Sequence, residues 1–330
     1  MESRQIDKQI ANKIDKKTDM GVKRPSGGPG EIGSRKHGMW ALGWQRFKRN
    51  RTGKVGLALV SVVVFFGFLG PFVAPYHPDD QSAMLEFRSK APPSFKNLLG
   101  TDRMGYDVAS RVIYGAPTAL VVGLGSMAIA AILGIIMGGF SGYIGGMADE
   151  LLMRFTEFFL VIPIFIVILI IVRIFGIVVI GTALEKIPYL NLSTIIVILG
   201  VFGWPPIARI ARAEFLRLKE MEFVEAARCI GVSRAGIIFR HILPNAMPSL
   251  IVLIALGIGG SILMEAMISF LGFGDPKAIS WGQLLYFNYE FLKIAPWASI
   301  APGVAIFITV LGFNLLADGL TDAFNPRLKE

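Results

Sequence analysis

The sequence predicts an all-α, polytopic membrane protein, and three observations lead to this prediction. Only 17% of the 330 residues are charged, whereas a typical soluble domain has about 25%. The mean hydropathy is +0.59, and charged residues are absent from five stretches of 22 to 37 residues. Each stretch exceeds the roughly 20 residues with which a helix crosses the hydrocarbon core. These observations exclude a soluble globular protein and a disordered chain.

The apolar segments divide into six predicted helical spans. Five coincide with the uncharged stretches, and the remaining one carries Glu157 and Arg173 near its ends, where both side chains can reach the membrane interface. Every span is long enough to cross a bilayer as a helix. The predicted spans are about 54–76, 116–144, 156–181, 191–210, 247–273 and 296–318.

The distribution of Lys and Arg predicts the orientation of these spans. An even number of spans places both termini on one side, and if that side is cytoplasmic the inner segments carry 24 of the 33 cations. Cytoplasmic segments of membrane proteins are enriched in Lys and Arg. We therefore expect both termini in the cytoplasm. This orientation accounts for the net charge of +9, and no nucleic-acid partner is expected.

The N-terminal segment divides into two parts. Residues 1–38 mix charge with Gly, Pro and Ser, and we expect a disordered basic cytoplasmic tail. Within residues 39–53, Trp40, Trp44 and Phe47 recur at helical spacing among basic side chains. Indole rings lie at headgroup depth, and cations bind anionic lipid. This pattern predicts an interfacial amphipathic helix that contacts membrane lipid.

The second span carries a stripe of small residues at every fourth position. Such a stripe lets another helix approach closely, which is how helices associate in lipid. We interpret it as a packing surface, within this chain or towards a partner, in preference to a substrate contact. The stripe consists of Ser126, Ala130, Gly134, Gly138, Gly142 and Gly146.

The predicted cytoplasmic loop 209–246 is rich in helix-forming residues and in charges of both signs. Gly231 can end a helix in a left-handed conformation, and Ser233 can cap the next helix. Pro244 marks the start of the fifth span. The loop is thus predicted to form a helix–turn–helix bracket joined to a span at each end. A solvated connector with favourable i,i+4 charge pairs is the alternative interpretation.

Composition disfavours catalytic and metal-binding roles. Cys229 is the only cysteine of the sequence, and His37, His77 and His241 lack metal-ligand spacing. Acidic residues are dispersed, and no Ser–His–Asp set is found. The sequence also lacks the phosphate-binding motif GxxxxGK[ST]. We therefore expect a non-catalytic chain without a cofactor or metal of its own.

Polar groups inside the spans are candidate functional residues, because they are costly to place in a bilayer. Glu265 and Ser269 lie in the outer part of the fifth span, and Asn314 and Asp318 lie near the inner end of the sixth. Glu265 belongs either to an outer gate or binding-protein contact, or to a structural hydrogen bond with neighbouring helices. For Asn314 and Asp318, a structural helix contact is favoured over a place in a pathway or gate.

Several ordered motifs resemble those of one family. The sequence EAA at 225–227, followed by Gly231 and by ILP at 242–244, is similar to the EAA loop of permease subunits in binding-protein-dependent ABC importers. LGTDRMGYD at 99–107 and SFLGFG at 269–274 resemble segments of the dipeptide, oligopeptide and nickel branch of this family. The resemblance is strongest to the C-type permease, and it covers all but about the first 40 residues.

This resemblance implies the type I ABC importer permease architecture, with six transmembrane helices, for residues 54–330. In this family the loop docks into a cleft on a cytoplasmic ATPase subunit, where its glutamate forms an ion pair. The alanines provide close approach, the glycine sets the turn, and nearby arginines contact the rim of the cleft. The residues assigned to ATPase docking in this way are Glu225, Ala226, Ala227, Arg228, Gly231 and Arg234.

The resemblance also implies a set of partners in a prokaryotic plasma (inner) membrane. A second, homologous permease subunit would supply the other half of the translocation pathway. Two cytoplasmic ATPase subunits would bind ATP and Mg²⁺, and their closure would move the spans between inward-open and outward-open states. An extracytoplasmic binding protein would deliver the substrate, which we expect to be a dipeptide or oligopeptide.

Other functions stay open at this point. The same architecture would also suit the import of nickel or oligosaccharides. A stand-alone secondary transporter or channel belongs to a different class. Inverted repeats with broken helices and buried coupling charges are common in that class, and the sequence shows neither feature clearly. A membrane-bound enzyme would need a convergent catalytic set.

Overall fold

The computed structural model describes residues 39–78, 89–179, 182 and 187–324. The predicted tail, residues 1–38, lies outside these described residues. The chain divides into two units, residues 1–40 and residues 41–330, and the contacts reported below lie within the second.

Ten helices follow one another along the described residues, and no strand longer than a single bridge occurs among them. The eighth of these helices contains a π-helical turn, Ile237–Ile242. The helices are α1 Met39–Phe47, α2 Arg51–Val73, α3 Val108–Ile144, α4 Gly146–Val161, α5 Ile164–Val179, α6 Leu190–Lys219, α7 Glu222–Cys229, α8 Arg234–Phe270, α9 Trp281–Asn288 and α10 Pro296–Phe324.

The predicted all-α membrane fold is confirmed. Five helices, namely α2, α3, α6, α8 and α10, are long and apolar enough to cross a membrane. Helices α4 and α5 pass the same test only together, and counting them as one span gives six.

The prediction of one continuous helix over 156–181, the third span, is wrong. Two helices occupy this region, α4 and α5, and they meet at a bend of 76°. Pro163 explains the bend, because proline has no N–H to donate and disfavours a helical conformation in the residue before it. Ile162 is accordingly extended, with φ −71° and ψ 126°. The broken span is therefore a consequence of one residue.

Other helices extend beyond their predicted limits. Helix α3 begins at Val108 instead of residue 116, because the Asp107 side chain caps it by accepting a hydrogen bond of 2.7 Å from the Ser110 N–H. Helix α8 begins at Arg234, so Pro244 lies inside a helix and does not mark its start. Hydropathy detects the apolar part of a helix, and the polar ends are missed for that reason.

Helix α6 continues for nine residues past its predicted end at 210 and runs into the loop. It contains two consecutive prolines, Pro205 and Pro206, which cannot donate to the carbonyls of the preceding turn. Near its N-terminus the Leu192 N–H donates to the buried Asp275 carboxylate at 3.2 Å. The helix is thus anchored at one end and has two missing hydrogen bonds near its middle.

The small-residue stripe of α3 packs within this chain, against α6. A Cβ at Gly134 would lie 2.6 Å from Cβ of Ile207, and one at Gly142 would lie 2.6 Å from the Arg212 carbonyl oxygen. At Gly138 it would collide with the Ala208 carbonyl oxygen. The packing interpretation is thereby confirmed for this part of the stripe. Gly146 differs, because it has a φ of +61°, opens α4 and meets no neighbour within 4 Å.

Helix α1 is shorter than the predicted helix 39–53. It ends at Phe47, and Asn50 caps α2 by accepting a hydrogen bond of 2.7 Å from the Gly53 N–H. Phe47 is buried beside Gly53 and Gly319, so this aromatic side chain belongs to the protein core and does not face lipid. Trp44 is exposed and stacks on Phe47.

The segment 89–107 forms a cap at the end of the helices opposite loop 209–246. The Asn97 amide donates to Asp107 at 3.0 Å, and both side chains are buried. The Trp297 indole donates to the Thr101 carbonyl at 3.1 Å, which ties the cap to α10. The cap is thus held by a buried hydrogen bond within the segment and by a partly buried one to a helix distant in sequence.

Substitution of Gly138 by alanine tests the α3–α6 crossing. The added Cβ meets a backbone carbonyl that cannot move away, and such overpacking costs about 1–3 kcal/mol. We expect a clear fall in the apparent Tm of the detergent-purified protein. Gly260→Ala is the matched control, since a Cβ at Gly260 meets nothing within 4 Å. Equal melting temperatures for the two variants would contradict the assignment.

Candidate functional site

The loop 209–246 folds as a short helix held between two helices of spanning length. Helix α6 ends at Lys219, and α7 follows after a break of two residues. Gly231 has a φ of +80°, the left-handed conformation expected for it. The Ser233 hydroxyl caps α8 by accepting a hydrogen bond of 3.2 Å from the Gly236 N–H. The predicted bracket and the roles of both residues in it are confirmed.

Helix α7 has an inner face and an outer face. Val224 and Ala227 form the inner face and are buried in the core of the chain, with Ala227 only 3% exposed. Glu225, Ala226 and Arg228 lie on the exposed face. The expectation that both alanines meet a partner therefore needs correction. Ala226 can do so, whereas Ala227 fixes α7 on its own chain, because helical periodicity turns it inward.

Glu225 lies in the first turn of α7, on the exposed face of the helix. It makes no ion pair or hydrogen bond with any residue that the structure describes. Arg228 and Arg234, the two arginines assigned to the rim, are also exposed. These side chains are therefore available to a partner in the isolated chain.

Two large apolar side chains beside α7 were not predicted from the sequence. Ile230 is 81% exposed, and Phe239 on the π-helical turn is 69% exposed. Ile237 and Ile242, at the two ends of the same turn, are fully buried. Phe239 follows the buried Ile237 by two residues, about 200° around a helix, and therefore lies on the side that faces away from the core. Apolar groups of this size beside exposed charges are typical of interaction surfaces.

An ion pair fixes the loop end of α6 to α4. Arg212 donates two hydrogen bonds to Asp149, Nε to Oδ1 at 2.5 Å and Nη2 to Oδ2 at 2.6 Å. The Ser141 hydroxyl donates to the same carboxylate. A bidentate pair of this kind restrains direction as well as distance. The connection between α3 and α4 is thus locked to the helix that carries α7.

Glu265 lies inside the helix bundle, where it is 2% exposed. The Ser269 hydroxyl, one turn further along α8, donates to its Oε1 at 2.5 Å. Of the two alternatives for Glu265, this geometry agrees with a structural hydrogen bond.

Asn314 and Asp318 both lie exposed on one face of α10, one helical turn apart. Neither makes a hydrogen bond or ion pair with the residues that the structure describes. The structure therefore does not bring them together with Glu265 and Ser269, which are buried. The four candidate pathway residues do not form one site within this chain.

Comparison with known families matches two segments of the chain. The family described as "Binding-protein-dependent transport system inner membrane component" matches residues 130–330. The family described as "N-terminal TM domain of oligopeptide transport permease C" matches residues 38–93. The two matches together include α1, α2, the broken span, the loop 209–246 and α10.

Curated relatives are similar over most of their length. The oligopeptide transport system permease protein OppC of Bacillus subtilis is 31% identical over 301 residues, which is 91% of this chain and 93% of the relative. The glutathione transport system permease protein GsiD of Pectobacterium atrosepticum is 33% identical over 291 residues, which is 88% of this chain and 92% of the relative.

A solved chain of the inward-facing MetNI methionine ABC transporter has a similar fold. Its TM-score is 0.50 at 20% sequence identity, and the match covers 65% of this chain and 96% of that chain.

Helices of membrane-spanning length that carry a short helix with an exposed polar face, together with these matches, identify a membrane transport subunit. The family match specifies the class further. The chain belongs to the inner membrane components of binding-protein-dependent transport systems, the permease subunits of ABC importers. The family predicted from the EAA-like loop is confirmed.

The Arg212–Asp149 pair can be tested with a double-mutant cycle of Arg212→Gln and Asp149→Asn. Each single change leaves a partly buried charge without its partner, which costs about 1–3 kcal/mol. We expect each single variant to lower the apparent Tm and the double variant to lower it little further. Arg154→Gln with Glu157→Gln is the control cycle, because this pair is exposed and separated by 3.5 Å. Purely additive effects at Arg212 and Asp149 would contradict the proposed coupling.

Proposed function

We propose that this chain forms half of the translocation pathway of a peptide importer and couples that pathway to cytoplasmic ATPase subunits through loop 209–246. The geometry of α7 carries the proposal. This helix is joined at both ends to helices of membrane-spanning length, and it exposes Glu225. A displacement of α7 is therefore passed to α6 and α8.

The exposed face of α7 provides the chemistry for docking. The Glu225 carboxylate would form an ion pair with a cation in the ATPase cleft, and Ala226 leaves room for close approach. Arg228 and Arg234 would contact the rim, while Gly231 sets the turn between the two helices. A charge pair that loses water on docking is sensitive to removal of either partner.

Energy would come from the partner subunits. Two ATPase subunits would bind ATP and Mg²⁺, and their closure would bring the two docked loops of a permease pair together. Two contacts support this role: the Arg212–Asp149 pair fixes the inner end of α6 to α4, and the buried Val224 and Ala227 fix α7 to the core of the chain. A rigid connection is what a transmitted domain movement requires.

The second permease subunit and the binding protein complete the proposed assembly. The exposed polar face of α10 at Asn314 and Asp318 supports a place beside the pathway or beside the second subunit. The cap formed by segment 89–107 lies at the opposite end from α7, where an extracytoplasmic binding protein would deliver substrate. The excess of Lys and Arg in the inner segments supports a cytoplasmic location for both termini.

Peptides are the proposed substrates because the relatives are named as permeases for oligopeptides and for glutathione, which is itself a tripeptide. Nickel and oligosaccharides remain the alternatives within the same architecture. The described residues contain no cluster of His, Cys, Asp and Glu that could hold a metal ion.

Charge reversal at Glu225 tests the docking surface. We expect Glu225→Arg to reduce co-purification of the ATPase subunits more than tenfold and to abolish ATP-driven uptake, because like charges would meet in the cleft. The membrane level and monodispersity of the variant should equal those of the parent. Glu290→Arg, an exposed glutamate at the opposite end of the chain, is the matched control. Normal ATPase binding by Glu225→Arg would refute the docking role.

Uptake in proteoliposomes tests the substrate class. The assembled complex with its binding protein should accumulate a radiolabelled tripeptide only with ATP, and excess unlabelled tripeptide should compete with it. Nickel chloride and an oligosaccharide, each in the same excess, are the comparison competitors. Accumulation of nickel or oligosaccharide without accumulation of peptide would replace the proposed substrate.

A further inference from the structure

A charged cleft lies between α4 and α6, near the end of the helices that carries loop 209–246. It has a volume of about 340 Å³ and is lined by Met153, Glu157, Arg209 and Arg212. A second cavity of about 300 Å³ shares Met153, Glu157 and Arg212 with it. The mechanism of coupling proposed above does not use these cavities.

The charges in this cleft are paired unequally. Arg212 is neutralised by its two hydrogen bonds to Asp149. Glu157 has only the exposed Arg154 at 3.5 Å, a pair that contributes little in water. Arg209 makes no ion pair or hydrogen bond with the residues that the structure describes. The cleft thus offers one available cation, Arg209, and one available carboxylate, Glu157.

The position of Arg209 along α6 indicates how deep in the membrane this cleft lies. No residue from 187 to 208 is charged, so Arg209 is the first charge that α6 carries after its apolar part. The 19 residues from Leu190 to Ala208 rise about 28 Å as a helix, which is close to the thickness of the hydrocarbon core. Arg209 therefore lies at the boundary of the core. Arg209 and Glu157 are both exposed on the surface of this chain, and long charged side chains at a helix end extend to the membrane interface, so a ligand at the interface can reach them.

We propose that this cleft binds a zwitterion, with an oxyanion on the Arg209 guanidinium and an ammonium group on the Glu157 carboxylate. A guanidinium binds carboxylates and phosphates through two parallel hydrogen bonds. Two sources present this chemistry at the inner membrane boundary. One is a peptide with free termini, and this choice rests on the proposed function. The other is a zwitterionic phospholipid such as phosphatidylethanolamine.

Two binding measurements on the assembled complex, without the binding protein, separate these sources. In the first, a tripeptide with a photoreactive side chain is cross-linked to the complex, and labelling of α4 and α6 is measured by mass spectrometry. Two modified forms of the same peptide serve for comparison: one has an amidated C-terminus, and the other has an acetylated N-terminus. In the second, native mass spectrometry measures retained phosphatidylethanolamine against retained phosphatidylglycerol.

We expect Arg209→Gln and Glu157→Gln each to reduce the specific signal about tenfold in one of the two measurements. In the peptide measurement, Arg209→Gln should label equally with the free peptide and with the C-terminally amidated peptide. Glu157→Gln should label equally with the free peptide and with the N-terminally acetylated peptide. Arg217→Gln is the matched control, because Arg217 lies on the same helix and pairs with Glu214 at 2.7 Å. A signal in the lipid measurement alone assigns the site to phospholipid.

The proposal is overturned if neither signal depends on Arg209 and Glu157. It is also overturned if Arg209→Gln releases the second permease subunit, since Arg209 would then pair with that subunit. Both results leave ATP-driven uptake by the parent complex and the Glu225→Arg result unchanged, so a failure here is distinct from a failure of the proposed function.

Discussion

The backbone contact between α3 and α6 is the constraint on which the rest of the structure depends. In a bilayer, apolar side chains gain nothing by leaving lipid for protein, so helices associate through close packing and polar contacts. Gly134, Gly138 and Gly142 remove the side chains that would separate the two helices. Because α6 continues to Lys219 without a loop, this contact also determines where α7 emerges.

Much of this fold can be predicted from local chemistry. Apolar length indicates the spans, and the turn at Gly231 and the cap at Ser233 follow from the conformations that these residues favour. The 76° bend at Pro163 could not be predicted in this way, since hydropathy averages over a window and contains no direction. Helix α9 was missed because it is short and lies between spans.

The candidate site was predictable to a different extent. A motif placed Glu225 in the loop, and the structure exposes it. Ala227 was assigned to the wrong face, because the face follows only once the first residue of α7 is known. Phe239 was missed because an apolar side chain in the loop does not by itself indicate whether it faces the core or a partner. Whether Arg209 has a partner is a tertiary property, and among the described residues none pairs with it.

The paired prolines of α6 have a mechanical consequence. Without donors at Pro205 and Pro206, the helix lacks two adjacent hydrogen bonds at about its midpoint and is weakest there. The outer half is held at Leu192 by Asp275, whereas the inner half is fixed to α4 and leads to α7. A bend of about 10° at this point would move the tip of the inner half, about 20 Å away, by about 3 Å. The parts of α3 and α4 that pack against the inner half would have to move with it.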